Sequence, residues 1–226
     1  MKQLKLIVAL AATVAFCAAS IAVAATVTGT DGPDTLFGTP QNDVINGLGG
    51  DDRIFGLAGA DRIDGGSDDD TIDGDGTCPA GSTNPAYCQS GGSGKDRISG
   101  GSGQDTINGN GGRDRISGQG GDDRLRGNSG NDRISGGSGT DVLSGGDGKD
   151  FLTGSGDDDK LRGQGGNDKI TGGSGRDLIE GGPGSDNIGA RDGTRDRINC
   201  GSGRDKVTAD RLDKIAKNCE RVSRRR

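Results

Sequence analysis

The apolar side chains of this chain recur at a fixed interval of nine residues. Between residues 91 and 189 every ninth position holds a large aliphatic side chain, flanked on both sides mostly by polar or charged residues. Such a triplet is too short for a helix, whereas the middle side chain of a short strand faces opposite to its neighbours. The pattern predicts one short strand per nine residues. The side chains expected to point inward are Ile98, Ile107, Ile116, Leu125, Ile134, Leu143, Leu152, Leu161, Ile170, Ile179 and Ile188.

The six residues between successive strands are rich in glycine and carry one fixed aspartate. Two examples are Gly91-Gly-Ser-Gly-Lys-Asp-Arg-Ile-Ser99 and Gly136-Gly-Ser-Gly-Thr-Asp-Val-Leu-Ser144. The rule is Gly-Gly-x-Gly-x-Asp-x-U-x, where U is a large aliphatic residue. We number these positions one to nine, so that the aspartate is position six and the aliphatic residue is position eight. Glycine reaches positive φ without steric cost and lets carbonyl groups approach a ligand, so positions one to six suit a turn.

A looser form of the repeat runs from residue 29 to residue 73, and two more repeats follow a one-residue slip at Ala190. In the early part, Gln41 and Asp68 replace the glycine at position four. Gln41 follows Pro40 in the poorest of these turns, so a complete site around Asp43 is not expected. The inward residues here are Leu36, Ile45, Ile54, Ile63, Ile72, Ile198 and Val207.

Two repeats would make one coil, in the order turn, strand, turn, strand. Turns two repeats apart then stack, and this brings Asp96 near Asp114 and Asp105 near Asp123. Stacked carboxylates repel each other unless a cation lies between them. The predicted ligands are the position-six residues Asp34, Asp43, Asp52, Asp61, Asp70, Asp96, Asp105, Asp114, Asp123, Asp132, Asp141, Asp150, Asp159, Asp168, Asp177, Asp186, Asp196 and Asp205.

The chemistry of these turns favours calcium. Carboxylate and glycine carbonyl oxygens form an all-oxygen cage, which suits a hard cation of flexible, high coordination better than magnesium. The chain has no histidine, and its cysteines lie outside position six, so sites for soft transition metals are not expected. Two turns, at residues 68–70 and 157–159, hold three consecutive aspartates. The extra carboxylates there are either additional ligands or solvated side chains.

The repeat resembles the hemolysin-type (RTX) calcium-binding nonapeptide family, and the resemblance covers most of the chain after residue 28. It implies an all-β fold, a right-handed parallel β-roll (β-solenoid) with two repeats per coil. It also implies multiple calcium ions as ligands and a secreted, bacterial protein.

The composition argues against an ordinary globular core. The 226 residues include 48 glycines, with 27% hydrophobic and 2% aromatic residues and a formal net charge of -6. Such a chain on its own suggests disorder, but stacked repeats share a thin continuous core. We therefore expect the metal-free chain to be largely disordered and to fold when calcium binds. The acidic balance disfavours nucleic acid as a partner.

Residues 1–24 have the features of an export signal: Lys2 and Lys5, an apolar run, and small residues suited to cleavage before Ala25. A retained membrane anchor and a lipoprotein anchored at Cys17 are the alternatives, and each places the domain outside the cell. With cleavage we expect no membrane insertion. Removal of the signal leaves four cysteines, for which proximity favours the pairs Cys78–Cys88 and Cys200–Cys219.

The domain prediction is a signal peptide at 1–24, a calcium-binding roll at 25–189, and last repeats with a cysteine-linked cap at 190–226. An insertion at 74–90, pinned by Cys78–Cys88, interrupts the roll. It is either a structural bulge or a recognition loop, since it contains the single tyrosine, Tyr87. Between residues 209 and 222, Leu212 and Ile215 are spaced for one face of a helix, so a short helical cap is predicted there.

The functional prediction is a secreted calcium-binding repeat protein whose folding is coupled to calcium uptake. The alternative is an extracellular adhesion, matrix or glycan-binding module that calcium stiffens. An enzyme is not expected, because the chain lacks histidine and its acidic pairs recur along the whole roll instead of marking one site.

Basic residues at position seven either balance the charge of the turns or form a docking surface for an anionic polymer, such as an extracellular polysaccharide or a cell surface. They are Arg53, Arg62, Arg97, Arg115, Arg124, Arg133, Lys160 and Lys169.

Overall fold

The protein is a parallel β-solenoid. In the computed structural model, which describes residues 23–75 and 93–224, the chain alternates between two parallel sheets, and each coil contributes one strand to each of them. The first sheet contains the odd-numbered strands in chain order and the second contains the even-numbered strands. The predicted roll of two repeats per coil is confirmed.

The first sheet has eleven strands: β1 Thr26–Thr28, β3 Val44–Gly49, β5 Arg62–Ser67, β7 Arg97–Ser102, β9 Arg115–Gly120, β11 Arg133–Ser138, β13 Phe151–Ser155, β15 Lys169–Gly173, β17 Asn187–Ala190, β19 Lys206–Ala209 and β21 Arg221–Arg224. The second sheet has ten: β2 Thr35–Phe37, β4 Arg53–Phe55, β6 Thr71–Asp73, β8 Thr106–Gly112, β10 Arg124–Gly130, β12 Val142–Asp147, β14 Lys160–Gly165, β16 Leu178–Pro183, β18 Arg197–Ser202 and β20 Lys214–Ile215.

The strands stack in register with the repeat. Ile98 pairs with Ile116 and Ile116 with Ile134, so identical positions of successive coils lie directly over one another. Most strands continue beyond the predicted triplet to position three, but the register skips position one. Position one is therefore a corner inside the strand, and its residue faces the interior of the coil.

The core is a single file of position-eight side chains from each sheet. Every predicted inward residue is buried, from Leu36 at one end to Val207 at the other. Ala190, Cys200 and Ala209, which stand at position one, complete the core at its C-terminal end. Most coils therefore bury one aliphatic side chain per strand, and the coil at β4 adds Phe55 and Leu57.

The predicted C-terminal helical cap is wrong: the part of the chain that the structure describes contains no helix. Residues 209–222 instead continue both sheets, with Ile215 paired to Ile198 and Val222 paired to Val207. Leu212, which the helix would have buried, is 51% exposed. The open edges of the last two rungs supply backbone partners for a strand, and this pairing outweighs a weak helical periodicity.

The disulfide predicted between Cys200 and Cys219 is present, and it ties the segment after β20 to β18. The signal segment 1–22, Cys17, the Cys78–Cys88 pair, Tyr87 and residues 225–226 lie outside the described residues. Among residues 23–75 and 93–224 there is no helix long and apolar enough to cross a membrane.

Candidate metal sites

The eighteen predicted aspartates form two columns that run along the solenoid, one at each turn of the coil. The first carboxylate column holds Asp34, Asp52, Asp70, Asp105, Asp123, Asp141, Asp159, Asp177 and Asp196. The second carboxylate column holds Asp43, Asp61, Asp96, Asp114, Asp132, Asp150, Asp168, Asp186 and Asp205.

Each column is held together by hydrogen bonds between its own members. The backbone N–H of Asp96 donates to Oδ1 of Asp114 at 2.9 Å, and the N–H of Asp114 donates to Oδ1 of Asp132 at 2.9 Å. The same bond recurs from coil to coil. The predicted proximity of Asp96 to Asp114 and of Asp105 to Asp123 is confirmed. One carboxylate oxygen of each aspartate is thus used to orient the side chain.

The second carboxylate oxygen has no partner at sixteen of the eighteen positions. These Oδ2 atoms are buried, and no hydrogen-bond donor reaches them within the described residues. The exceptions are the two N-terminal aspartates. Oδ2 of Asp34 accepts the N–H of Thr30 at 2.6 Å, and Oδ2 of Asp43 accepts the N–H and hydroxyl of Thr39.

The orphaned oxygens face the position-one glycines. A β-carbon added to Gly118 would overlap Oδ2 of Asp123 and would lie 2.8 Å from the carbonyl oxygen of Gly136, one coil further on. Gly145, beside Asp150 and the carbonyl oxygen of Gly163, repeats the arrangement in the other column. The absence of a side chain at position one therefore leaves a cradle between a carboxylate oxygen and a carbonyl oxygen.

Burial makes these carboxylates hard to ionise. Desolvation raises the pKa of Asp61 and Asp114 from its usual 3.8 to about 8, although a backbone N–H donor opposes the shift. The charges of neighbouring carboxylates contribute to the same upward shift. For the same leading reason the pKa of Asp150 rises to about 7 and that of Asp141 to about 6. A positive charge beside the orphaned oxygens would remove this penalty.

The donor set fits a hard cation. Within residues 23–75 and 93–224, no three acidic, histidine or cysteine side chains converge on one point. A cation here would therefore complete its shell with backbone carbonyl oxygens, and Gly136 shows one such oxygen beside the carboxylate of Asp123. Carboxylate and carbonyl oxygens together are ligands typical of calcium.

Sequence reasoning missed three members of this system. Asp213 extends the first carboxylate column, because its Oδ1 accepts the N–H of Asp196 at 3.0 Å. Glu220 extends the second, accepting the N–H of Asp205 at 2.8 Å. The sequence did contain a signal for both, because each begins a triplet of acidic, basic and aliphatic residues. The triplets are Asp213-Lys-Ile215 and Glu220-Arg-Val222. Asp75 is also buried, with Oδ2 accepting the N–H of Gly94 and Oδ1 left unpaired, and no repeat position marks it.

The extra aspartates of the two triple-acid turns hydrogen-bond to backbone and lie at the surface. Oδ2 of Asp68 accepts the N–H of Gly50 at 3.0 Å, and Oδ2 of Asp157 accepts the N–H of Gly139 at 3.0 Å. Asp158 forms an ion pair with Arg176 at 2.8 Å. Their oxygens therefore serve the stacking of turns at the exposed edge.

The fold and the carboxylate columns together define a class: a parallel β-solenoid of nine-residue repeats with a buried acidic residue in each repeat from Asp43 to Asp205. Residues 28–63, 47–76, 90–125, 117–152 and 153–188 match the RTX calcium-binding nonapeptide repeat (4 copies), and these segments cover more than half of the chain. The chain belongs to this family and is a calcium-binding repeat protein. A comparison with curated protein sequences found no match.

Proposed function

We propose that this chain is a secreted protein that folds by taking up calcium ions between successive coils, and that the position-six aspartates ligate them. The observation that carries the proposal is the set of buried, unpaired Oδ2 atoms, repeated at sixteen of the eighteen predicted positions. A single unpaired buried carboxylate would be an isolated exception. Because the same unpaired oxygen recurs at nearly every turn, it is a regular property of the repeat.

The energetics require a counter-charge. An ionised carboxylate that is buried without a partner costs several kcal/mol, and here the carboxylates also stack on one another. An ionised carboxylate can accept hydrogen bonds but cannot donate them. A cation that contacts two successive turns therefore offsets both the desolvation of the carboxylates and the repulsion between them. Calcium supplies that charge, and it tolerates a shell built from a mixture of carboxylate and carbonyl oxygens.

The chain's own residues prepare the site. The hydrogen bond from Asp105 N–H to Oδ1 of Asp123 fixes the carboxylate plane and points Oδ2 at Gly118. Gly118 leaves room because it has no β-carbon, and its successor Gly136 presents a carbonyl oxygen to the same space. These contacts exist only when one coil lies on the next, so ion binding and folding are one event.

Export is proposed from the N-terminal sequence and from the cysteines. Lys2 and Lys5 precede an apolar run that ends in small residues before Ala25. The Cys200–Cys219 disulfide suits an oxidising environment, which is also where calcium is abundant. The proposal contains no catalytic step.

Circular dichroism of the purified chain tests the coupling. In EDTA we expect a spectrum of unordered chain, and excess calcium should produce a cooperative gain of β-structure. Magnesium at the same concentration is the control, and it should produce much less. Identical spectra in EDTA and in calcium would reject the proposal.

A second function, binding to an extracellular glycan or cell surface, is favoured by one observation. The outer face of the first sheet carries four arginines in register on neighbouring strands, whereas the longest basic run on the second sheet is two residues. The four arginines are Arg62, Arg97, Arg115 and Arg133.

A further inference from the structure

Four arginines stack on the outer face of the first sheet. Arg62, Arg97, Arg115 and Arg133 all stand at position seven, pair in register on four consecutive strands and are exposed. We call them the basic column. Neighbouring strands lie about 4.8 Å apart, so the column presents a row of like charges at that spacing. Like charges directly opposite each other destabilise a sheet.

Among the described residues the arginines of the basic column form no ion pair, and the one acidic side chain lining the groove beside them is Asp64, at its β5 end. In the described part of the chain only Arg162–Glu180 and Arg176–Asp158 form ion pairs, and neither involves the basic column. The carboxylate columns lie inside the coil at the turns, where they are buried. The guanidinium groups of the basic column are therefore free to pair with an external anion.

The repeat itself does not require this column. Position seven of the second sheet reads Thr71, Thr106, Arg124, Val142 and Lys160 on consecutive strands. The basic residues on these strands are separated by neutral or apolar ones, and the longest basic run on this sheet is Arg197 beside Lys214. Since both sheets use the same repeat, the uninterrupted arginines are a property of one face only.

A row of hydroxyl groups runs beside the arginines. Ser99, Ser117, Ser135 and Thr153 stand at position nine and pair in register on strands β7 to β13. The two rows form the walls of a shallow groove of about 500 Å³, and Asp64 precedes Ser99 in the position-nine row. The groove thus offers guanidinium donors along one side and hydroxyl donors and acceptors along the other.

An aromatic side chain closes one end of the groove. Phe151 follows Arg133 in the same column and is half-buried. The guanidinium of Arg133 lies 5.1 Å from its ring centroid, and the ammonium of Lys169 lies 6.0 Å from it on the next strand. A flat apolar ring beside cations can pack against the face of a sugar.

We propose that this groove binds a linear anionic polysaccharide that carries a carboxylate on each sugar. The strand spacing of about 4.8 Å is comparable to the length of one pyranose unit, and the long arginine side chains can adjust to carboxylates that repeat at that interval. The hydroxyl row then hydrogen-bonds the sugar hydroxyls. The inference deepens the glycan-binding candidate above and rests on the proposed function only in needing the calcium-folded coil.

Nucleic acid fits the groove less well. Double-stranded DNA carries one charge per about 1.7 Å, a density that one arginine per strand, at about 4.8 Å, does not match. Recognition of single strands uses several stacked aromatic side chains, and the groove has Phe151 alone among its lining residues.

The test uses short oligogalacturonates, which are too short to gel with calcium, and measures their binding to the calcium-loaded chain by calorimetry. The variant R115Q/R133Q removes two charges from the basic column. The matched control R124Q/R197Q removes two charges from the same repeat position on the second sheet, where both arginines are also exposed. Circular dichroism without ligand verifies that both variants fold at the same calcium concentration as the parent.

We expect R115Q/R133Q to weaken binding about tenfold or more, while R124Q/R197Q stays within about twofold. Added salt should weaken parental binding, and neutral oligosaccharides should not bind. The inference is overturned if the parent binds no oligogalacturonate, if both variants lose affinity equally, or if a DNA fragment binds more tightly than the oligosaccharide. The inference is also overturned if R115Q/R133Q binds the oligosaccharide normally and EDTA abolishes binding while the chain stays folded. That result would mean that the oligosaccharide contacts bound calcium instead of the basic column. Failure of the chain to fold in calcium would appear in the dichroism alone and would count against the proposed function instead.

Discussion

Asp122 and Asp123 are neighbours in the chain, yet their carboxylates bond in opposite directions along the solenoid. Oδ1 of Asp123 accepts the N–H of Asp105, one coil earlier, at 2.8 Å, whereas Oδ1 of Asp122 accepts the N–H of Thr140, one coil later, at 2.8 Å. Asp123 is buried with an unpaired Oδ2, and Asp122 is exposed. Asp123 is a proposed calcium ligand, whereas Asp122 carries the same charge but only accepts a hydrogen bond at the surface.

This pair gives the first prediction. Asp123→Asn keeps an oxygen for the bond to Asp105 but replaces the orphaned oxygen with an amide nitrogen, so the chain should bind about one calcium ion fewer or bind it more weakly. Asp122→Asn removes the same charge at the surface and should leave the calcium stoichiometry unchanged. Isothermal titration calorimetry compares the two. Equal effects would mean that general charge, rather than ligation, governs calcium uptake.

The second prediction concerns the N-terminal turn. Thr39 already satisfies Oδ2 of Asp43, so this carboxylate needs no cation. Asp43→Asn should therefore reduce the calcium stoichiometry less than Asp123→Asn does. The doubt that the sequence raised about a complete site at Asp43 has a structural counterpart in this contact. A loss of calcium equal to that in Asp123→Asn would contradict the assignment.

The position-one glycine supplies the third prediction. A β-carbon in Gly118→Ala would overlap Oδ2 of Asp123, and we expect a loss of about 1–3 kcal/mol in the free energy of unfolding together with weaker calcium binding. Gly120→Ala is the control, because its β-carbon would meet only Ser138 Oγ, at 3.4 Å. It should change stability by less than about 1 kcal/mol. Thermal unfolding in calcium compares the stability of the two variants. Equal melting temperatures would show that the interior beside Gly118 can accommodate a β-carbon.

The pKa values lead to the fourth prediction. Burial raises the pKa of Asp114 from 3.8 to about 8 and that of Asp150 from 3.8 to about 7. Between pH 3.8 and about pH 8 a calcium-free fold therefore binds more protons than the unfolded chain does. Any compact calcium-free state should therefore be most stable near pH 4 and should lose that stability as the pH rises toward 8.

Protons and calcium compete for the same oxygens, so the pH dependence reverses when calcium is present. Calcium binds the unordered chain, whose aspartates ionise near pH 4, so calcium affinity should stay nearly constant between about pH 8 and about pH 6 and should fall as the pH approaches about 4. Titrations in buffers of different ionisation enthalpy measure the protons released, and we expect little release at neutral pH. A large proton release at about pH 7 would show that calcium binds a compact coil whose position-six carboxylates are protonated before the metal binds.

The fifth prediction concerns the C-terminal end. Cys200 takes the position-one place in β18, where its side chain is fully buried, and its bond to Cys219 closes a loop with a sequence separation of 19. Cys200→Ser with Cys219→Ser should lower stability by about 3 kcal/mol at this end of the solenoid. Hydrogen exchange should become faster in β20 and β21 and remain unchanged in β9 to β14. Uniformly faster exchange would indicate that the solenoid unfolds as one unit.

The nine-residue period carried most of the fold. It located the buried file from Leu36 to Val207 and the eighteen aspartates, because both recur at fixed positions and identical positions stack. The end of the solenoid escaped it. From Asp196 to Asp213 the spacing is 17 residues and from Asp205 to Glu220 it is 15. The nine-residue period is therefore lost there, although the strands still pair.

The sequence also could not assign roles to individual glycines. Gly101 and Gly103 adopt positive φ, of 117° and 130°, as expected for turn positions two and four. Gly100, at position one, does not, and it is needed for the space that a β-carbon would take from Asp105 Oδ2. Gln119 occupies position two with a φ of 81°, which lies close to the left-handed region that residues other than glycine occasionally adopt. These distinctions depend on which way each residue faces, and that follows only from the stacked coil.

The contrast between the two outer faces was likewise invisible along the chain. Arginine or lysine at position seven occurs in both sheets, but the alternation of repeats between sheets gathers Arg62, Arg97, Arg115 and Arg133 onto one face. Only the order of strands reveals the column.

The most direct test of the account is a crystal structure of the chain grown in millimolar calcium. We predict metal ions in the turns between successive coils, with Oδ2 of aspartates such as Asp114 and Asp123 about 2.3–2.6 Å from them and glycine carbonyl oxygens completing the shell. Turns that hold no metal ion under those conditions, with the coils still stacked, would contradict it.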